Sequence, residues 1–250
     1  MRIIFLLVIL NCGLAGAQTA SIYSDGASGT GIQLAGSAVP KAQCANPITI
    51  ELWFKWMSNY AAGESKGYLL ATRPTNDAYG MNMQGNGATN SGRGVQVTIQ
   101  DVSKYNWSAS TWASYGVWHH LMFVWDGRGY MNFIIDGQQA GGAGGASVGA
   151  GTILVHQWRI GMYTPDAEWR AWLGYYAQYR YWGCERSQNE AKSWKNRDFP
   201  GSARNLVWNY KMNDAAGCPK NYANISQATS TVAGIVRSPI SPPIQRLLDF

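Results

Sequence analysis

The sequence predicts an all-β domain, a sandwich or barrel of short antiparallel strands. Three observations predict it. Short apolar, aromatic and β-branched runs recur between Gly-rich or Asn-rich turns along the 250 residues. Helical periodicity is nearly absent. One stretch, Val117 to Gln139, already reads as a hairpin. In it, residues 119, 121, 123 and 125 share one face and 118, 120, 122 and 124 the other, both mostly apolar, as in a central strand. Met131, Phe133 and Ile135 then alternate with Tyr130, Asn132, Ile134 and Asp136. Asp126-Gly127 and Gly129 supply the positive φ of a tight connection, and Asp136-Gly137 ends the second strand with another turn.

Taken in order, residues 1–17 read as a signal peptide. Arg2 is the only charge, Ile3 to Leu10 is unbroken apolar sequence, and Ala15-Gly16-Ala17 fits a small-x-small cleavage site. A helix that crosses a bilayer needs about 20 apolar residues, so no transmembrane segment is expected. The expected product starts near Gln18 and is secreted or held at a cell or virion surface. Strands are expected at Ile48 to Met57, Tyr68 to Thr72, Val95 to Gln100, Val117 to Trp125, Tyr130 to Asp136, Ile153 to Ile160, Trp172 to Trp182 and Leu206 to Met212. One helix is expected at Ser187 to Lys195, where Ser187-Gln188-Asn189-Glu190 has the form of a capping box. Asn82 to Gly94 and Gly141 to Gly151 read as Gly-rich loops. Neither a repeat nor a boundary interrupts residues 18–237, which are read as one domain. The Pro-rich tail 238–250 is expected to be extended, with an apolar end able to dock.

Composition narrows the function. The chain is 46% hydrophobic and 14% charged with 12 Trp, which excludes a disordered segment. The net charge of +6 is scattered, without a basic run or nucleic-acid motif, so nucleic acid is not an expected partner. A mild attraction to anionic polysaccharide or a cell surface fits better. Beyond the leader lie Cys44, Cys184 and Cys218, which allow one disulfide plus a free or intermolecular thiol, with the pairing open. Their spacing matches no zinc site. His119 and His120 are neighbours on a strand and face opposite sides, so they cannot form a metal pair. A nucleophile elbow, a phosphate-binding loop and a His-Glu-x-x-His helix are all missing. Rings expected outside the strand cores are Trp107, Trp112, Tyr163 and Trp169, the last beside Arg170. Such rings stack on the C–H faces of sugars while a guanidinium fixes hydroxyls; the same rings equally serve to pack loops.

Four segments in order resemble the laminin-G and pentraxin branch of the concanavalin A-like lectin/glucanase superfamily: Ser21-Ile-Tyr-Ser-Asp-Gly26, Ile48-Thr-Ile-Glu-Leu-Trp-Phe-Lys55, Trp118 to Gly127 with Ile134-Ile-Asp-Gly137, and Arg159-Ile-Gly161 followed by Leu173-Gly174 and Tyr179 to Trp182. The resemblance covers roughly residues 20–215. It implies a jelly-roll β-sandwich of two antiparallel sheets. Glycoside hydrolases of that superfamily carry Glu-x-Asp-x-x-Glu on one strand, and this chain does not. The nearest pair, Asp166-Ala-Glu168, follows Pro165 and falls in a loop, leaving a divergent hydrolase as a minor expectation. Pentraxin-like members hold calcium between two loops, which here correspond to Asn76 and Asp77 and to Asp166 and Glu168. These are hard oxygen donors, but Tyr163 to Pro165 replaces two expected ligands, and Asn76-Asp77 also suits a plain turn. The leading expectation is a non-catalytic, exported lectin-like module that binds glycan or cell-surface polysaccharide. The alternative is a structural surface, matrix or virion coat protein that self-associates through the same sandwich.

Overall fold

The computed structural model describes residues 21–25, 31–34, 47–57, 67–71, 80–89, 92–100, 104–108, 114, 116–127, 130–143, 159–161, 173–200, 202–212, 222–223, 229–233, 235–238, 242–243 and 245–246. They form two large antiparallel sheets, as the resemblance implies. The first contains β1 (Ser21–Asp25), β3 (Ile48–Trp56), β8 (Trp118–Trp125), β9 (Met131–Ile135), β10 (Gln138–Ala143), β12 (Leu173–Trp182) and β16 (Ile235–Ser238). Their order is β10-β9-β8-β3-β12-β1-β16, and β14 (Leu206–Tyr210) also pairs with β12. The second sheet contains β2 (Gly31–Leu34), β4 (Tyr68–Ala71), β5 (Gly80–Thr89), β6 (Gly92–Gln100), β7 (Lys104–Ser108), β11 (Arg159–Ile160) and β15 (Thr229–Ala233), in the order β15-β2-β11-β4-β5-β6-β7. Helix α1 (Gln188–Trp194) follows β12, and β13 (Arg197–Asp198) pairs in parallel with β17 (Gln245–Arg246), within the tail expected to be extended.

Alternation builds the core. Ile48, Ile50, Leu52, Phe54 and Trp56 of β3 are buried with Leu121, Phe123 and Trp125 of β8 and Met131, Phe133 and Ile135 of β9. Ile32, Leu69, Leu70 and Ile160 of the second sheet join the same cluster, so the two sheets pack face to face. Each such side chain contributes about 1.5–3 kcal/mol through removal from water. Tyr179 donates its hydroxyl to the Leu69 carbonyl and stitches one sheet to the other. The turn after β9 has Asp136 at φ 52° and Gly137 at φ 81°, the left-handed pair expected for a two-residue hairpin.

β12 breaks its own alternation. Gln178 adopts φ 51°, and the register against β3 slips between Ala177 and Arg180. Tyr176 and Tyr179 therefore both enter the core, while Ala177 and Arg180 both lie on the opposite face. The bulge sets Arg180 directly opposite Glu51 of β3.

Two expectations are corrected. The described residues of Asn82 to Gly94 are strand rather than loop: β5 and β6 pair from Gly80 opposite Gln100 to Thr89 opposite Gly92. Its polar and glycine-rich composition masked a strand, because backbone pairing in a sheet tolerates residues of low β-propensity where neighbours supply the core. Nor is the whole of Gly141 to Gly151 a loop. Gly141–Ala143 continue β10 against β9, beyond a register shift between Gln139 and Gly141. The expected run Ile153 to Ile160 is observed as β11 at its end, and residues 153–158 lie outside the described residues.

Candidate functional site

The outer face of the first sheet, opposite the core, falls into two halves. Thr49, Glu51, Trp53 and Lys55 of β3 lie on it by alternation. Near Glu51, helix α1 and the strand after it cover the sheet. The helix begins as the sequence predicts: Ser187 accepts from the Glu190 N–H and the Glu190 carboxylate accepts from the Ser187 N–H. Lys195, at its end, accepts from Trp53 Nε1 at 3.0 Å and donates from Nζ to the Asp136 carbonyl at 2.9 Å. Gln188 donates to the Gly137 carbonyl, and a Cβ on Gly137 would stand 2.7 Å from Lys192 Cγ.

Beneath this cover lies a buried charge cluster. Arg180 Nη1 donates to Glu51 Oε2 at 2.8 Å, Arg186 Nε lies 3.7 Å from Glu51 Oε1, and His120 Nε2 lies 3.5 Å from Glu51 Oε2. Burial alone would raise the Glu51 pKa, but contact with His120 and the charges of Arg180 and Arg186 outweigh it and hold the carboxyl down at about 2. The His120 pKa is lowered as well, which for a histidine favours the neutral form. Burial, reinforced by Arg180, lowers its pKa against the pull of Glu51 and keeps the ring neutral. The guanidiniums are capped by rings: Arg186 stacks 4.0 Å from the Trp182 centroid and 4.5 Å from that of Trp194, and Arg180 lies 4.8 Å from that of Phe199. A catalytic carboxylate must reach substrate. Glu51 is sealed and ion-paired, so the cluster is a clasp that pins α1 to the sheet.

On the other side of β8, His119 Nδ1 donates to Asp136 Oδ2 at 2.7 Å and its Nε2 accepts from the Ser114 N–H at 3.0 Å. Asp136 Oδ1 accepts from the His120 N–H. Burial would raise the Asp136 pKa, but these hydrogen bonds lower it further than burial lifts it. The two histidines thus face opposite sides as expected, and both are buried. Among the described residues, no group of three or more His, Cys, Asp or Glu could hold a metal ion.

The second half of the outer face lies beyond α1. Tyr23 of β1 stands opposite Tyr175 of β12, Tyr175 opposite Lys55 of β3, and Lys55 opposite Trp118 of β8. One register row therefore carries three aromatic rings and a cation across four strands. All four side chains are half-buried. The Tyr23 and Tyr175 centroids are 4.9 Å apart at 44°, those of Trp118 and Tyr175 are 6.2 Å apart at 54°, and Lys55 Nζ lies 5.7 Å from the Tyr175 centroid. Trp118 packs inward against Trp53 and Ala177, which fixes its ring. Met57 and Val117, both exposed, continue the apolar surface past the ends of β3 and β8. The sequence hid this row, since rings inside strands suggest core; the signal was the alternation that sets Trp118 on the face opposite His119 and Lys55 opposite Phe54.

Trp112, Tyr163, Trp169 and Arg170 lie outside the described residues, as do Asn76, Asp77, Asp166 and Glu168, and also Cys44 and Cys218. Cys184 carries a free thiol. Trp107 was expected outside the strands but belongs to β7. It continues the register row Val232, Ile32, Ile160, Leu70, Met83 and Val97, in which Ile32, Ile160 and Leu70 are core residues.

A laminin-G family model, described as concanavalin A-like lectin/glucanases superfamily, matches residues 25–192. No curated protein matches the sequence. Among solved structures, one similar chain is a Bacteroides ovatus protein for which carbohydrate binding has been suggested: TM-score 0.66, 15% identity, 92% of this chain and 62% of that chain. The present chain thus spans less than two thirds of that protein. The heptameric SAP-like pentraxin of Limulus polyphemus aligns at TM-score 0.57 and 14% identity, over 88% of this chain and 94% of that one. The CBM40 of the Ruminococcus gnavus IT-sialidase, solved with α2,3-sialyllactose, aligns at TM-score 0.53 and 14% identity, over 71% and 98%. At such identities the likeness is one of fold.

Proposed function

Because the chain belongs to the laminin-G family of the concanavalin A-like superfamily, we propose that it is a non-catalytic carbohydrate-binding module, exported to act on glycan or cell-surface polysaccharide. The observation that carries this reading is the half-buried row Tyr23, Tyr175, Lys55 and Trp118 on the outer face of the sheet. A pyranose has an apolar C–H face and a polar rim. A run of half-buried rings with a donor beside them matches both. The suggested carbohydrate binding of the Bacteroides ovatus protein and the sialyllactose bound to the Ruminococcus gnavus module support the same assignment. Trp112, Tyr163, Trp169 and Arg170, outside the described residues, are proposed as further sugar contacts on their residue types alone.

Export is supported by the apolar leader; no helix among the described residues is long and apolar enough to cross a membrane. Binding without turnover is supported by Glu51, whose carboxylate is consumed by Arg180 and Arg186. A glycan array probed with and without calcium tests the reading. Calcium enters the assay because Asn76, Asp77, Asp166 and Glu168 are the donors through which a cation would act. Retention of a defined set of glycans by the wild type, lost in Tyr175→Ala, supports it. Failure to bind any glycan in either condition contradicts it.

A further inference from the structure

We infer that the Tyr23–Tyr175–Lys55–Trp118 row takes an acidic sugar, with the anionic group on Lys55 and the pyranose ring against the aromatic faces; this rests on the carbohydrate-binding reading and names its ligand class. Among the described residues, the other buried or half-buried cations on this face are matched. Arg180 pairs with Glu51 at 2.8 Å, Arg186 with Glu190 at 3.3 Å, and Lys211 with Asp198 at 2.7 Å. Lys195 gives its ammonium to the Asp136 carbonyl.

Lys55 differs. It is half-buried, and among the described residues the contact that the structure gives its ammonium is the Tyr175 ring, 5.7 Å away. A ring quadrupole is a weak substitute for a counter-ion. Partial burial also lowers the local dielectric, so an incoming anion gains more there than on a fully solvated lysine. The register fixes the geometry. Lys55 lies between Tyr175 and Trp118, so a carboxylate or sulfate held by the ammonium leaves the attached ring over one or the other aromatic side chain. A neutral sugar takes up the stacking but leaves the cation unmatched. An acidic sugar uses both, and the charge-assisted hydrogen bond is the stronger kind.

Three pairs of probes separate the sources of negative charge: sialyllactose against lactose, oligogalacturonate against its carboxyl-reduced form, and a heparin oligosaccharide against its desulfated form. Isothermal titration of the full chain is expected to show at least one acidic member binding tenfold or more tightly than its neutral partner, with affinity falling as salt rises. The preference disappears in Lys55→Gln and survives in Lys55→Arg. Arg204→Gln, which removes an exposed cation on the turn before β14, leaves it intact and excludes mere attraction by net charge. Equal binding of acidic and neutral partners, or an undiminished preference in Lys55→Gln, overturns the assignment of ligand class while leaving carbohydrate binding in place. Absence of binding to every probe and every arrayed glycan overturns both.

Discussion

Glu51 shows how much a single side chain decides in this fold. It sits in the middle of a central strand, 5% exposed, where an apolar residue would be unremarkable. Two guanidiniums converge on it, and removing one partner of such a buried set costs about 3–5 kcal/mol because the others keep their desolvation without their counter-charge. Glu51→Ala is therefore expected to lose stability of that order in urea unfolding, and Glu51→Leu combined with Arg180→Met to recover much of it. Acid probes the same cluster. The Glu51 carboxyl falls from 4.5 to about 2 in the folded chain. The native state binds its proton later than the unfolded one, so its stabilisation of about 3 kcal/mol is complete above pH 4.5 and is lost as pH falls toward 2. His120 has the same sign: its folded pKa lies below 6.5, so its contribution is complete above that value and is lost in acid. Thermal unfolding against pH should decline in two stages, the first beginning near 6.5. His120→Gln should delete the first stage and keep the second; a first stage that persists in this variant would assign it to another group.

At the scale of elements, the clasp depends on two short features. The Asp136-Gly137 turn presses against α1, and Gly137 is constrained twice, by φ 81° and by Lys192 Cα, 3.0 Å from any added Cβ. Gly137→Ala is expected to cost about 1–2 kcal/mol from the left-handed backbone alone. Lys192→Ala should not rescue it, since the backbone atom remains. Ser187→Ala removes the helix cap and should cost about 1 kcal/mol, read in the same unfolding experiment. These features were legible in advance, because a capping box, an Asp-Gly turn and an apolar alternation are local patterns. β3, β8, β9, β12, β14 and α1 follow from them within a residue or two. β5 was not legible, since Asn82, Gln84 and Asn86 alternate with Met81, Met83 and Gly85 too weakly to announce a strand. The Gln178 bulge was also hidden, although it decides that Arg180 and not Tyr179 meets Glu51. The aromatic row was invisible for a different reason. Alternation sets Tyr23, Tyr175 and Trp118 on one face, but which part of that face α1 covers is decided by tertiary packing.

For the whole molecule, the two faces of the first sheet divide the work. The inner face closes on the second sheet and holds the chain together. Part of the outer face is sealed by α1 over a neutralised charge cluster, and part carries three half-buried rings and a cation without a counter-ion among the described residues. Substitutions in the sealed half should move stability and leave ligand affinity unchanged, whereas those in the aromatic row should do the reverse. The most direct measurement is calorimetric titration of wild type and the Tyr23→Ala, Tyr175→Ala double variant with the glycan that the array retains best, alongside their thermal unfolding. At least a tenfold loss of affinity, about 1.4 kcal/mol, is expected with the fold intact. Equal affinity in a folded double variant would contradict it and move recognition to another surface.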